Sequence, residues 1–312
     1  MASRNRVGRR LLQMIPTLIL ITVVIFLLVR LLPGDPVSAM LGDRGTPEAI
    51  ARLRAQMGFD RSIPVQFATY VGRLLHGDLG ESITRRVPVS GLLLDRLPVT
   101  LMLTGLAGLL AVMLAVPLAF VAAAFRDRPI DIAIRGLFQV GLSAPVFYLG
   151  LLLLGFLAAR WHIFPVGGLG TNFFDTLYHL FLPALTLALS LSAILMRNLR
   201  GAIIGVLRAD YIDFARAKGL APMVVMTRHV LRNALISTVV LFGLNIGTLL
   251  SGAVVTETVF AVPGLGALLV DSIFGRDYPV VQGLTLVLAV MVSLVFLITD
   301  LVEAWLDPRA AA

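Results

Sequence analysis

The chain has 312 residues, of which 58 % are hydrophobic and only 14 % are charged. Soluble domains carry roughly a quarter of charged residues, so this composition excludes an ordinary soluble domain and indicates a membrane protein. The chain has no cysteine, which excludes disulfides and thiolate metal sites, and its net charge of +8 comes from arginine clusters that report membrane orientation rather than nucleic-acid binding.

Six uncharged apolar runs predict six transmembrane helices, because each exceeds the roughly 18 residues that mark a membrane-spanning segment. The first run follows a basic start and lacks the short core and small-residue cleavage site of a signal peptide, so we expect it to be retained. The runs are residues 11–29, 97–125, 136–159, 176–196, 233–256 and 278–299.

The positions of the basic residues predict that both termini face the cytoplasm. Arginines cluster in the N-terminal tail, between the second and third runs, and between the fourth and fifth runs, where the lysine Lys218 also lies. The short segments on the opposite side hold only Arg160 and Arg276. The segment after the first run is not informative, because long loops cross the membrane regardless of their charge.

Residues 33–97 are expected to form a helical extracytoplasmic loop. Thr46 is suited to an N-cap, Pro47 to the first helical position and Gly58 to a stop, which together predict a first helix. A second helix is predicted by apolar residues at helical spacing. The loop is interpreted either as a small helical cap or as a docking surface for a soluble partner. The apolar positions are Ile50, Leu53 and Met57 in the first helix and Phe67, Val71, Leu74 and Leu75 in the second.

Between the fourth and fifth runs, the stretch DYIDFARAKGLAPMVVMTRHVLRNAL (residues 210–235) predicts a helix, a glycine turn and a second helix. Acidic residues precede basic ones in the first helix, the order that the helix dipole favours. Gly219 is suited to a helix stop and Pro222 to the first turn of the next helix. The stretch fits either an interfacial helix on anionic headgroups or a shaped cytoplasmic surface for a protein partner. A shared apolar stripe is expected for Leu207, Tyr211, Phe214 and Ala215.

The fifth run holds the candidate polar residues of a translocation path. Pro145 and Pro183 are expected to kink the third and fourth spans. Gly243 and Gly247 indicate close packing of the fifth span against a neighbouring helix. The candidate path residues are Asn245, Thr248 and Ser251.

No energy source is apparent in the sequence. A nucleotide-binding P-loop needs a lysine followed by serine or threonine, but Lys218 is followed by Gly219. Ion-coupled carriers usually place a charged residue at mid-membrane, and the six runs have none there. The histidines lack metal-ligand spacing and no nucleophile elbow occurs, so neither a catalytic nor a metal site is predicted. The histidines are His76, His162, His179 and His229.

Several motifs resemble those of a known family, the membrane subunits of binding-protein-dependent ABC importers of the dipeptide/oligopeptide permease group. Those subunits carry a Glu-Ala-Ala triplet followed by glycine four residues later; here Asp213, Phe214 and Ala215 occupy the triplet and Gly219 matches. The first two triplet positions depart from the general pattern. Further matches are LLPGDP (31–36), HGDLGES (76–82), TETVFAVPGLG (256–266), RDYPVVQG (276–283) and DPR (307–309).

The resemblance implies the fold of a type I ABC importer transmembrane domain: an all-α integral membrane protein with six transmembrane helices and a helical extracytoplasmic loop after the first. The expected organisation is an N-terminal tail and first helix (1–32), an extracytoplasmic loop (33–97), a five-helix core (98–306) that contains a cytoplasmic coupling loop (201–233), and a cytoplasmic tail (307–312).

By resemblance, the chain imports short peptides delivered by an extracytoplasmic substrate-binding protein, across the cytoplasmic membrane of a bacterium. Two ATPase domains or subunits would hydrolyse ATP with magnesium, a homologous second permease subunit would complete the pathway, and this chain would hold no cofactor. Related importers take up haem, nickel or glutathione, and these substrates stay open. An ion-coupled secondary transporter is the alternative class.

The resemblance also implies two sets of site residues. Residues 257–277 are expected to contact the binding protein or to form an outer gate, and residues 210–235 to couple the chain to an ATPase. The coupling residues are Tyr211, Asp213, Phe214, Ala215, Arg216, Ala217, Lys218, Gly219 and Leu220; the outer residues are Glu257, Phe260, Val262, Pro263, Gly264, Leu265 and Gly266.

Overall fold

The computed structural model describes residues 2–31, 46–56 and 58–306, which are mainly helical. Three parts of the sequence discussed above lie outside the described residues. They are the LLPGDP motif after Leu31, the residue Met57, and residues 307–312 with the DPR motif. The helices are α1 (Ala2–Leu31), α2 (Pro47–Gln56), α3 (Ile63–Leu75), α4 (Val89–Ala124), α5 (Pro129–Ser143), α6 (Val146–Arg160), α7 (Phe173–Val206), α8 (Asp210–Ala217), α9 (Pro222–Val259), α10 (Leu265–Phe274) and α11 (Tyr278–Leu306).

Among the described residues, α1, α4, α7, α9 and α11 are long and apolar enough to cross a membrane. The bent pair α5 and α6 makes a sixth crossing if it counts as one span. The all-helical membrane fold with five to six apolar spans is therefore confirmed. α4 begins at Val89, earlier in the chain than the apolar run that predicts it.

The third predicted span is broken rather than kinked, because α5 and α6 meet at an angle of 106°. Ala144, between them, has an extended backbone (φ −79°, ψ 135°), the conformation that a following proline imposes. Pro145 then precedes the first residue of α6. Pro183, by contrast, lies within the continuous helix α7, so only the first of the two prolines interrupts its helix.

A face of small residues lets α4 pack closely against α7, the most buried of the long helices. Along α4, alanines recur every four residues and are at most 4 % exposed. Such spacing places them on one face of the helix, where small side chains allow two backbones to approach. These alanines are Ala107, Ala111, Ala115, Ala119 and Ala123.

The cap helices α2 and α3 follow the end of α1, as the sequence predicts. The Thr46 hydroxyl accepts a hydrogen bond from the Ala49 N–H (3.2 Å), so Thr46 is the N-cap of α2. α3 packs on α1 through aromatic contacts: the rings of Phe67 and Tyr70 lie 5.0 and 5.7 Å from the ring of Phe26. Leu75, at the end of α3, is exposed rather than packed.

Candidate functional site

Residues 207–233, which follow α7 and include the first turns of α9, form the helix, glycine turn and helix that the sequence predicts. α8 ends at Ala217, and Gly219 has a φ of +76°, in the left-handed region that favours glycine. The Gly219 N–H donates to the Arg216 carbonyl (2.9 Å) and closes the turn. Pro222 then begins α9. We refer to this segment as the 207–233 loop.

The 207–233 loop is anchored to the bundle by a buried apolar face. Ile212 is fully buried and Ala215 is 7 % exposed, and both belong to the main hydrophobic core. Val225 and Val230, in the first turns of α9, are also buried in that core. Residues 212 and 215 are three apart and therefore share one face of α8. The loop is thus held in place as a shaped projection of the bundle.

A neighbouring face of the loop exposes apolar side chains, which corrects the predicted stripe. Ala215 faces the core, but Tyr211 and Phe214 are 47 % and 63 % exposed. The spacing rule identified one apolar face, whereas the core contact is made by Ile212 and Ala215. Tyr211, Phe214, Leu220, Met223 and Val224 form an exposed set around the turn, which we call the apolar patch.

Charged side chains frame the apolar patch. The Lys218 ammonium nitrogen lies 4.6 Å from the centre of the Phe214 ring, a cation–π contact that covers part of the ring. Asp213 and Arg216 form an exposed ion pair at 3.4 Å. The Asn233 amide donates to the Tyr211 hydroxyl (3.2 Å), which ties α8 to α9. Together these contacts orient an apolar surface within a charged rim, as in a protein contact surface.

A buried ion pair stiffens the bundle next to the loop, and the sequence gives no sign of it. Asp131, on α5, is fully buried and accepts two hydrogen bonds from the Arg200 guanidinium, at 2.7 and 2.6 Å. It also accepts from the Asp127 N–H (2.9 Å), and Arg135 lies 3.3 Å away. The pair joins α5 to α7 about two helical turns before the 207–233 loop begins.

We expect Asp131→Ala to lower stability by about 3–5 kcal/mol, because it leaves the largely buried Arg200 guanidinium without its counter-charge. The double variant Asp131→Asn/Arg200→Gln should recover part of this loss. The measurement is the thermal-unfolding midpoint of the purified complex. Asp127→Asn, which breaks the exposed Arg126–Asp127 pair, is the control and should have little effect. Equal midpoints for Asp131→Ala and Asp127→Asn would contradict the anchoring role.

Near the C-terminal end of α9, Glu257 connects α9 with α4 and α10. Its side chain is fully buried and accepts hydrogen bonds from the Thr100 hydroxyl of α4 (2.7 Å) and from the N–H groups of Gly266 (2.7 Å) and Ala267 (3.1 Å). Those N–H groups open α10, where a carboxylate also matches the positive end of the helix dipole. The Thr100 hydroxyl in turn accepts from the Leu265 N–H (2.9 Å).

This arrangement requires glycine at positions 264 and 266, which belong to the same TETVFAVPGLG motif as Glu257. A Cβ on Gly264 would lie closer than 3.0 Å to the Glu257 carboxyl group, and one on Gly266 would lie closer than 3.0 Å to the Val254 backbone. The glycines of the PGLG stretch therefore allow α10 to approach α9 and receive the carboxylate. We call Glu257, Thr100 and the 264–267 backbone the outer clamp.

The outer residues predicted from the sequence are mostly buried, whereas a contact surface would expose them. Phe260 and Val262 are each 1 % exposed, and Glu257 and Leu265 are fully buried. The side chains of Phe260 and Val262 belong to the main hydrophobic core. The exposed large apolar side chains of the 257–277 segment lie further along, where Phe274 is 84 % exposed and Ile273 is 40 % exposed.

A third buried carboxylate fixes the segment before α4. Asp277 is 1 % exposed and accepts hydrogen bonds from the hydroxyls of Ser82 (2.5 Å) and Thr84 (2.7 Å) and from the N–H groups of Ile83 (3.0 Å) and Thr84 (3.2 Å). The RDYPVVQG and HGDLGES motifs are therefore in contact. Sequence reasoning identified both motifs but not the contact between them.

The candidate path residues lie along α9 and bond to their own helix. The Thr248 and Ser251 side chains are exposed and donate to the carbonyls of Asn245 (2.6 Å) and Gly247 (3.2 Å). Asn245 is half-buried and donates to the Leu241 carbonyl (2.8 Å). Ser251 lines an apolar groove of about 800 Å³ between α1, α9 and α11. In the described part of the chain, no group of three or more metal-ligating side chains occurs.

Comparison with protein families gives two matches that together cover most of the chain. The family described as binding-protein-dependent transport system inner membrane component matches residues 115–312, and the family of the corresponding N-terminal region matches residues 5–104.

Curated relatives match over almost their whole length. The dipeptide transport system permease protein DppB of Escherichia coli (strain K12) is 39 % identical, covering 96 % of this chain and 97 % of its own. The glutathione transport system permease protein GsiC of Salmonella choleraesuis (strain SC-B67) is 40 % identical, over 97 % and 98 %. The oligopeptide transport system permease protein AppB of Bacillus subtilis (strain 168) is 39 % identical, over 96 % and 97 %.

Solved structures of ABC transporters share the fold. An inward-facing structure of the MetNI methionine ABC transporter has a TM-score of 0.59 at 18 % identity and covers 70 % of this chain and 97 % of its own. An amino acid ABC transporter with histidines has a TM-score of 0.52 at 17 % identity, over 70 % and 94 %. At this identity the likeness is one of fold alone.

Proposed function

The chain belongs to the family of binding-protein-dependent transport system inner membrane components, and on this premise we propose that it is the membrane subunit of an ATP-driven importer of short peptides. Family membership confirms the resemblance noted in the sequence and makes the chain a multi-pass membrane permease. The observation that carries the energetic part of the proposal is the exposed apolar patch on the 207–233 loop.

Peptides are the proposed substrate because the relatives are named for dipeptides, oligopeptides and glutathione. All three are small, water-soluble molecules with a peptide-type amide and charged ends. Glutathione is the second candidate, on the strength of the 40 % identity to GsiC. Selection among these substrates is assigned to the substrate-binding protein, which delivers the molecule to the permease.

ATP hydrolysis is assigned to separate ATPase subunits that hold ATP and magnesium. The apolar patch, with Phe214 63 % exposed, offers these subunits a docking surface, and Gly219 sets its shape. Docking on an ATPase requires the 207–233 loop and both termini to face the cytoplasm, which the arginine distribution supports. Coupling is then assigned to Tyr211, Asp213, Phe214, Ala215, Arg216, Ala217, Lys218, Gly219 and Leu220, with Ala215 acting from the buried side.

A homologous second permease subunit is proposed to complete the translocation path, with Asn245, Thr248 and Ser251 as its candidate lining on this chain. The binding protein is proposed to dock at the opposite end, on the cap helices and the exposed part of the 257–277 segment. That segment is held in position by the buried residues Glu257, Phe260, Val262, Gly264, Leu265 and Gly266 and by the half-buried Pro263, which thereby shape the outer gate.

Transport by the reconstituted complex tests the proposed function. The chain is co-expressed with the second permease and the ATPase subunits, reconstituted in proteoliposomes and supplied with binding protein. We expect labelled dialanine to accumulate only when ATP and magnesium reach the ATPase subunits and every subunit is present. Uptake by this chain without an ATPase, driven by an ion gradient, would overturn the proposal. Competition by glutathione separates the two substrate candidates.

Crosslinking tests the proposed outer contact, and the chain has no native cysteine to interfere. We expect Phe274→Cys to form an adduct with the binding protein, because this side chain is 84 % exposed. Phe260→Cys, at a residue that is 1 % exposed, is the matched control and should form none. Adducts from neither position, or from Phe260→Cys alone, would contradict this placement of the contact.

A further inference from the structure

A polar cavity of about 590 Å³ lies at the cap end of the bundle, between the end of α1, the helix α3, the 78–81 turn and the start of α11. It is separate from the outer clamp, the apolar patch and the groove beside α9. Its volume is in the range of small-ligand sites in proteins. The proposed function assigns it no role.

Two polar groups in the wall of this cavity lack a partner among the described residues. Gln282 of α11 is only 7 % exposed, yet its side-chain amide makes no hydrogen bond there. The Tyr70 hydroxyl of α3 is buried and likewise has no hydrogen-bond partner. Buried polar groups are nearly always bonded to protein, water or ligand, since leaving them unbonded is costly. The Gln282 amide is therefore available to a molecule that enters the cavity, whereas the Tyr70 hydroxyl is buried in the wall behind it.

Charged side chains of both signs complete the lining. Arg30 is held in place: its guanidinium donates to the Gln66 side-chain oxygen (2.9 and 3.1 Å) and to the Phe26 carbonyl (2.9 Å). In the described ranges, the Arg61 and Arg73 side chains form no ion pair or hydrogen bond, although both line the cavity. These two cations can engage an anionic group without breaking an existing contact.

Carboxylates lie on the 78–81 turn of the same cavity. Asp78 and Glu81 both line it, and one Asp78 oxygen accepts from the Gly80 N–H (2.8 Å), which leaves its other oxygen for a donor. The site thus combines cations, carboxylates and an amide.

We propose that this cavity binds a short zwitterionic peptide, whose carboxylate is held by Arg61 and Arg73 and whose ammonium group is held by Asp78 or Glu81. The Gln282 amide is placed to bond the peptide group between these ends. This inference rests on the proposed import of peptides and adds a substrate site on the permease itself. A phospholipid headgroup fits less well, because the lining offers few apolar side chains beside which acyl chains can lie.

Direct binding to the assembled complex tests the proposal. The full complex, without binding protein, is placed in nanodiscs of phosphatidylglycerol, and binding of radiolabelled dialanine is measured by equilibrium dialysis. We expect dialanine to bind to the complex. N-acetyl-dialanine amide, which lacks both charges, should not compete with it. Arg73→Gln should weaken dialanine binding about tenfold, in line with the loss of a charged hydrogen bond.

A matched control separates the site from general damage. Arg160→Gln changes an exposed arginine outside the cavity and should leave dialanine binding unchanged. Binding that is absent, equal in all variants, or equally strong for the blocked peptide would overturn the proposal. Phosphatidylethanolamine that co-purifies with the wild type and is lost from Arg73→Gln would also overturn it. ATP-driven dialanine uptake by the same purified complex, reconstituted in proteoliposomes and supplied with binding protein, shows whether only this inference has failed or the import function as well.

Discussion

Gly219→Pro is expected to lower ATP-driven peptide uptake at least tenfold while the chain still folds and inserts. Proline fixes φ near −65° and has no N–H, but residue 219 has a φ of +76° and donates to the Arg216 carbonyl. The substitution therefore redirects the chain between α8 and α9. Nothing lies within 4 Å of a Cβ at this position, so the effect comes from the turn and not from a clash. Uptake and ATP hydrolysis are measured in the same proteoliposomes.

Two control variants are compared with Gly219→Pro. Gly219→Ala keeps the N–H and costs about 1–2 kcal/mol for the left-handed conformation, so uptake should fall only in part. Gly77→Pro alters another exposed glycine, with a φ of +74° at the end of α3 on the cap side, and should leave the ATPase contact intact. Normal uptake by Gly219→Pro would show that the shape of the 207–233 loop does not matter for coupling.

Gly266→Ala is expected to lower stability by about 3 kcal/mol and to abolish uptake with it. The new Cβ would press on the Val254 backbone, which cannot rotate away as a side chain can, and overpacking of this kind costs about 1–3 kcal/mol or more. The displacement of α10 would also pull the Gly266 and Ala267 N–H groups away from Glu257. Thermal unfolding of the purified complex, followed by tryptophan fluorescence, provides the measurement.

Gly72→Ala is the matched comparison for this variant. Gly72 lies within α3, and a Cβ added there would have nothing within 4 Å, so alanine should be neutral or stabilise the helix by about 0.5–1 kcal/mol. An unfolding midpoint for Gly266→Ala equal to that of Gly72→Ala would show that the outer clamp does not depend on close contact between α9 and α10.

Local signals in the sequence are reliable where a single residue decides the backbone. Thr46 caps its helix, Gly219 stops α8 and Pro222 opens α9, because each effect depends on the residue's own conformation or side chain. Pro145 indicates an interruption but not its size: an extended Ala144 turns a kink into a bend of 106°. The bend angle depends on what the two half-helices pack against.

Contacts between distant residues could not be read from the sequence. Glu257 belongs to a motif rich in glycine and proline that indicates a loop, and its burial depends on Thr100, 157 residues away in the chain. Asp131 stands among arginines in a polar segment, and only the approach of α7 brings Arg200 to it. For α8, periodicity showed an apolar face but did not show that Ile212, rather than Tyr211 and Phe214, would meet the core.

The division of labour within the chain follows from these placements. Buried carboxylates join helices at both ends of the bundle, Asp131 near the 207–233 loop and Glu257 and Asp277 near the cap. Exposed apolar side chains lie beyond them, on the apolar patch and at Phe274. Rigid connections behind exposed surfaces are what a transport subunit needs if movement of a partner at one end is to reach the other.

Crosslinking from Phe214→Cys tests the central claim, that the 207–233 loop docks on a separate ATPase, most directly. The chain has no other cysteine, and this side chain is 63 % exposed on the apolar patch. In inverted membrane vesicles that contain the whole complex, a short thiol crosslinker should join residue 214 to an ATPase subunit, and added ATP should change the yield. Adducts with the binding protein instead, or labelling of residue 214 only from the extracytoplasmic side, would contradict the account.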